Sequence, residues 1–151
     1  MSVAQDGNVA AELAIRSLVA RYSDAVARRD EADWGATWAP DGEWQIMGTV
    51  QQGREDVVKF WVQLMGTVPF VVQVPSFGTV SIDGDRANGR WYVTEYGKTV
   101  DERPSLTLGV YHDQYKRLDA KWLFARRRFD ILYMGPPDLT GMTLPFPEVS
   151  C

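Results

Sequence analysis

Apolar positions recur along this chain first with a helical period and then with a strand period. Residues 9–29 carry Ile15, Leu18, Val19, Tyr22 and Val26, spaced i, i+3, i+4, i+7 and i+11, which is one stripe of a helix. Asn8 or Asp6 stands where an N-cap belongs, and Arg28 and Arg29 fall in the last turn, where cations suit the helix dipole. Asp30 is placed to cap a short second helix, with Asp33 three residues on in the manner of a capping box. Trp34 and Trp38, four apart, share a face of that helix, and Pro40-Asp41-Gly42 is expected to end it. Residues 43–47 read as a short strand with Trp44 and Ile46 on one face. Gly53 opens a third helix with acids in its first turn and an apolar stripe of Val57, Phe60, Trp61 and Leu64, stopped by Gly66.

From Phe70 onward the period is two. Residues 70–82 and 86–97 flank Asp83-Gly84-Asp85, a strong hairpin signal. Residues 104–118 and 121–133 flank Asp119-Ala120 and predict a second hairpin, in which Tyr115 faces Ala125, Asp113 faces Arg127 and Tyr111 faces Phe129. The tail from Gly135 holds four of the eight prolines and little periodicity, and is expected to lie as an irregular arm over the surface or over a partner chain. Helices grouped ahead of a long antiparallel meander imply an α+β fold, with one sheet face covered by the helices because each helix has one apolar stripe to bury.

Alternation sorts the strand residues into two faces. Ala87, Gly89, Trp91, Val93 and Glu95 form the more apolar set and are placed inside, with Asn88, Arg90, Tyr92, Thr94 and Tyr96 outside. Glu95 then points among apolar neighbours, where loss of solvent raises a carboxyl pKa unless a cation relieves it, and Arg127 is the candidate cation. An opposed pair such as Asp113 and Arg127 has Cβ atoms about 5 Å apart, within reach of a salt bridge. Both readings of that pair stay open: a buried ion pair that orders the sheet, or a part of a reaction centre. Tyr22, Tyr111 and Tyr115 are the remaining polar groups able to reach a cavity. Trp34, Trp38, Phe60, Trp61 and Trp91 supply aromatic surface, as core or as the lining for a flat ligand. Leu106, Leu108 and Val110 fall on the outer face and suggest sheet-to-sheet packing in a homodimer.

Composition narrows the partners. The chain has 151 residues, enough for one domain over 1–151 with a real core, and a net charge of -4 that argues against nucleic acid. No apolar run approaches the roughly 20 residues a membrane span needs. The start has no basic segment followed by an apolar one, so no export signal is read and a cytoplasmic setting is expected. The single cysteine, Cys151, cannot form an internal disulfide, and as a terminal thiol it reads as a bystander. One histidine, no Cys/His cluster and no phosphate-cradling glycine loop leave no metal or other cofactor to expect. That histidine, His112, alternates with Tyr111 and Asp113 and so points away from the pocket.

Several short motifs, in order, resemble the SnoaL-like family of the nuclear-transport-factor-2-like superfamily over residues 10–133. They are Arg21-Tyr22-Ser23-Asp24-Ala25 with Arg28-Arg29-Asp30, Trp38-Ala39-Pro40-Asp41-Gly42, Gly53-Arg54-Glu55, Asp83-Gly84-Asp85-Arg86-Ala87, Gly109-x-Tyr111-x-Asp113-x-Tyr115 and Trp122-x-Phe124-x-x-Arg127. The resemblance implies a cystatin-like cone, a strongly curved antiparallel sheet wrapped around three N-terminal helices with an apolar pocket at its open end. It implies no single reaction. Dehydratases of the superfamily use a His–Asp pair. Their histidine would fall near Pro75 or Ser76 here, their helix aspartate near Ala27 and a second histidine near Trp91, and none is present.

Two expectations follow. The first is a cofactor-independent lyase of dehydratase or cyclase type acting on a hydrophobic aromatic or polycyclic compound. Asp113, Arg127, Glu95 and Tyr22 would then do the chemistry, with Trp38, Phe60, Trp91, Tyr111 and Tyr115 against the substrate. The second is a non-catalytic ligand-binding domain, or one like the small subunit of a ring-hydroxylating dioxygenase.

Overall fold

The computed structural model describes residues 3–147, with side chains from residue 7. Cys151 and the side chain of Asp6 lie outside the described residues. The elements run α1 (Val3–Arg28), α2 (Glu31–Gly35), β1 (Trp38–Ile46), β2 (Thr49–Gln52), α3 (Arg54–Thr67), β3 (Phe70–Asp83), β4 (Arg86–Lys98), β5 (Pro104–Leu118), β6 (Lys121–Gly135) and β7 (Met142–Thr143). Helix α1 starts before Asn8, which therefore lies inside it rather than capping it. Its expected stripe is the buried one: Ile15, Leu18, Val19, Tyr22 and Val26 are all at most 7% exposed. Asp30 caps α2 by accepting from the Asp33 backbone N–H at 2.8 Å.

Trp38 is not helical. Helix α2 closes at Gly35, and the Thr37 carbonyl accepts from the Phe124 N–H at 2.9 Å, which draws the next residue into the sheet. Pro40-Asp41-Gly42 consequently sits within β1 rather than at a helix end. Proline has no N–H to give the ladder, and the β1–β6 register jumps between Trp38 and Glu43. This β1–β6 pairing is parallel, so the sheet is not a pure antiparallel meander. Helix α3 runs one residue past Gly66.

The strand order is β2-β1-β6-β5-β4-β3, with β7 also paired to β6. The β5–β6 turn has Asp119 at φ 47° and Ala120 at φ 63°, the two left-handed residues that a type I′ hairpin requires. Asp113 pairs with Arg127 and Tyr111 with Phe129, as the alternation predicts, but Tyr115 pairs with Phe124, not Ala125. The register shifts between Gln114 and Tyr115 because β6 carries one extra residue there, Ala125, with no partner on β5.

The sheet's inner face closes over α1 and α3. Its outer face is crossed by the arm after Gly135: β7 pairs with β6 at Tyr133 and Met134, and the Leu144 N–H bonds the Leu132 carbonyl at 2.8 Å. Phe146 packs near Tyr92 and His112. Of the three outer-face residues, Leu106 and Val110 are buried within one chain and Leu108 is half-buried.

Candidate functional site

Three neighbouring strands bring one polar row to the inner face. Gln73 on β3 pairs with Glu95 on β4, which pairs with Thr107 on β5. The next row inward on that face is Val93, Gly109 and Ile131, and the row beyond it is aromatic: Trp91, Tyr111 and Phe129. Helix α1 lays Tyr22 and Ser23 against these rows. Helix α3 and β1 close the other side with Trp61, Met65 and Trp44. Between them lies a cavity of about 310 Å³ whose wall is mostly apolar. Its polar end carries Tyr22, Gln73, Glu95 and Tyr111.

Gln73 organises that end. Its amide N–H groups donate to Glu95 Oε2 at 2.9 Å and to the Tyr111 hydroxyl at 3.2 Å, while its carbonyl oxygen accepts from the Ser23 hydroxyl at 3.5 Å. Loss of solvent raises the Glu95 pKa above its ordinary value of 4.5, and the Gln73 hydrogen bond only partly opposes this. The expected relief by Arg127 does not occur, because the Arg127 guanidinium is spent elsewhere. Tyr22 and Tyr111 keep their protons: burial raises both phenols, that of Tyr111 strongly. They are therefore hydrogen-bond donors at neutral pH.

Behind this wall sits a second, fully buried network. Arg127 is 1% exposed and grips Asp113 with two bonds, Nε to Oδ1 at 2.9 Å and Nη2 to Oδ2 at 3.0 Å. The Tyr115 hydroxyl donates to Asp113 Oδ2 at 2.6 Å and accepts from Trp91 Nε1 at 2.7 Å. Rings of Tyr111, Phe124 and Tyr22 lie 3.6, 4.2 and 4.3 Å from the guanidinium carbon. Tyr22 and Tyr111 thus face the cavity on one side and the cation on the other. Arg127 Nη1 is buried with no hydrogen-bond partner among the described residues.

The expected site residues therefore divide. Glu95, Tyr22 and Tyr111 line the cavity, whereas Asp113, Arg127 and Tyr115 stand one layer behind it. Trp38 and Trp91 are core, and Phe60 packs edge-on against Trp44 instead of lining the cavity. Trp61, one of the aromatics the sequence offers as lining, is in the wall, together with Trp44 and Gln73, which the sequence did not single out. Ala27, expected near a helix aspartate position, is exposed. The helix-to-strand polar contact is instead Ser23–Gln73, a pair that does not titrate. Signals for both were present. Ser23 sits beside Tyr22 on the Val19–Val26 stripe, and Gln73 shares strand parity with Val71. His112 points outward as expected, 3.5 Å from Asp130, and burial lowers its pKa.

A cone of helices and curved sheet around a mostly apolar cavity, with the half-buried Glu95 on its wall, is a cystatin-like fold. The chain belongs to the SnoaL-like domain family, whose model matches residues 7–128. It is 27% identical over 134 residues to the gamma-hexachlorocyclohexane dehydrochlorinase of Sphingobium indicum, covering 85% of each chain. The solved structure of LinA superposes with a TM-score of 0.82 at 25% identity, over 93% of this chain and 97% of that one. A putative scytalone dehydratase from Novosphingobium aromaticivorans superposes with a TM-score of 0.84 over 97% of this chain and 99% of that one; at 19% identity it bears on the fold alone. Among the described residues no helix is long and apolar enough to cross a membrane.

Proposed function

We propose that this protein is a cofactor-independent lyase in which Glu95 is the general base for an elimination on a hydrophobic ring compound. The observation that carries the reading is Glu95 itself: a carboxyl group on an apolar cavity wall, held by one neutral amide, with its pKa raised by burial. A base with a pKa moved toward neutrality suits C–H proton abstraction better than a solvated carboxylate does. In the proposed step the Glu95 carboxylate takes a proton from a ring carbon. The C–H electron pair becomes the new C=C bond. The group on the adjacent carbon leaves with its own bonding pair, as halide, or as water once it has taken the proton now on Glu95. Tyr22 and Tyr111 donate hydrogen bonds to charge developing on the substrate or the leaving group, their rings backed by the closed Asp113–Arg127 pair. Asp113, Arg127 and Tyr115 are positioning residues in this scheme.

The first substrate to assay is γ-hexachlorocyclohexane, named in the dehydrochlorinase relative, followed by cyclohexane analogues bearing hydroxyl in place of chlorine. Chloride release is followed by ion chromatography and water loss by mass spectrometry. Glu95→Gln is expected to lower kcat by about 10²–10⁴-fold, the usual worth of a general base. A folded Glu95→Gln protein that keeps more than a tenth of the turnover refutes the assignment. The second reading is a non-catalytic ligand-binding domain, and the non-titrating Ser23–Gln73 contact favours it. On that reading the cavity binds ring compounds with no turnover in either protein.

A further inference from the structure

The charges around the cavity are lopsided. Among the described residues that line it, Glu95 is the single one with a carboxyl group, and no lysine, arginine or histidine lines it. The nearest fully buried cation, Arg127, is matched by Asp113 at 2.9 and 3.0 Å and screened from the cavity by Tyr22 and Tyr111. Its field is that of a neutral pair and offers nothing to an incoming anion. Arg29 donates to the Met65 and Val68 carbonyls at the end of α3 and does not line the cavity. The remaining polar wall groups are hydroxyls and the Gln73 amide. Five aromatic side chains, Tyr22, Trp44, Trp61, Tyr111 and Phe129, complete the lining, and aromatic rings attract cations and repel anions at their faces.

We propose that the cavity selects its ligands by charge through Glu95: it takes uncharged and cationic ring compounds, binds lipophilic ammonium ions as ion pairs, and excludes carboxylates and phosphates. The inference rests on the same placement of Glu95 as the lyase reading and names the substrate class that this placement permits. An ammonium ion entering the site meets a carboxylate whose remaining partner is one neutral amide, so the ion pair supplies what burial has taken from both charges. A carboxylate entering the site meets a like charge with no cation on the wall. An uncharged ring compound meets neither effect, and is the class on which Glu95 stays free to act as a base. A lipophilic amine would occupy that base and so inhibit the elimination. At an effective dielectric constant near 20, one unit charge a few ångströms from another changes affinity by about tenfold to hundredfold once partial solvation is allowed for.

The test uses three bicyclic probes of one shape: 2-naphthylmethanol, 2-naphthylmethylamine and 2-naphthoate. Their affinities for the wild-type chain, Glu95→Gln and Glu95→Leu are measured by isothermal titration calorimetry at pH 7.5, with circular dichroism as the check on folding. The amine is expected to bind wild type at least tenfold more tightly than either variant. The carboxylate is expected to bind the variants at least tenfold more tightly than wild type, and the alcohol to bind all three proteins within about threefold. An amine affinity that ignores the Glu95 substitutions, or a carboxylate that binds wild type as well as the alcohol does, overturns the inference. Should either variant fail to fold, the other carries the comparison; should both fail, the ordering of the three probes on wild type alone decides it. Binding is read without turnover, so charge selection can fail while Glu95 remains the base, and can hold in a protein that catalyses nothing.

Discussion

Replacing Asp113 by Asn leaves the Arg127 guanidinium, 1% exposed, without its counter-charge. Two bonds at 2.9 and 3.0 Å lose their ionic partner, and the Tyr115 hydroxyl loses the carboxylate it donates to at 2.6 Å. Three aromatic rings hold the guanidinium within 4.3 Å, so it cannot swing out to water without opening the wall of the cavity. Breaking a buried pair in this way costs about 3–5 kcal/mol. At roughly 2–4 °C per kcal/mol for a chain of this size, the melting temperature should fall by roughly 6–20 °C. Arg127→Met strands the opposite charge and should cost a similar amount. The double variant strands neither, so its cost should fall short of the sum of the singles by about 1–3 kcal/mol. Urea denaturation of the four proteins, with m-values compared to confirm two-state unfolding, completes the cycle. A single-variant loss below 1 kcal/mol, or strict additivity, would refute the claim that this pair is a closed and unsolvated unit.

Two further outcomes are expected. The raised Glu95 pKa means that the folded protein binds more protons than the unfolded chain between the ordinary value of 4.5 and the raised one, so the wild type loses stability as pH rises through that window. Glu95→Gln should therefore match wild type at pH 4 and exceed it at pH 8, at up to about 1.4 kcal/mol per pH unit crossed, as read from urea midpoints; equal midpoints at pH 8 would show Glu95 to be solvated. Gly109→Ala drives a Cβ into the Phe129 ring, which lines the cavity. It should cost about 1–3 kcal/mol by overpacking and weaken ring-compound binding by displacing Phe129, whereas a variant with wild-type melting and binding would mean that β5 yields there freely.

How far the sequence carried this reading depends on whether local pattern or distant contact decides each element. The α1 stripe, both hairpin turns and the inner set of β4 follow from periodicity, because burial of one face is a local demand repeated every turn or every second residue. Counted outward from a two-residue turn at Asp119-Ala120, the ladder puts Tyr115 opposite Phe124 and would put Asp113 opposite Arg126, so the Asp113–Arg127 pairing needs one more residue on β6. That residue is Ala125, bulged out of β6; a bulge serves the bend the sheet makes around its helices, and nothing in Phe124-Ala125-Arg126 announces it. Trp38 looked helical because it follows Trp34 by four, while the hydrogen bond that moves it into β1 comes from Phe124, far along the chain. Gln73 escaped notice for a different reason. An uncharged polar residue on a strand normally means the solvent side, and only its shared parity with Val71 places it within. The charge balance of the cavity was likewise out of reach. It turns on which carboxylate Arg127 chooses, and the alternation allowed both Asp113 and Glu95.

The stacked indoles of Trp34 and Trp61, 4.7 Å apart and 13° from parallel, have a consequence of an optical kind. Two chromophores so close and so nearly aligned share their excited states, and Trp61 is also part of the cavity wall. The pair therefore works as a fixed antenna with one element facing the occupant. Near-ultraviolet circular dichroism of the unlabelled protein should change shape when a colourless molecule enters, and this protein can report on its own contents without a dye.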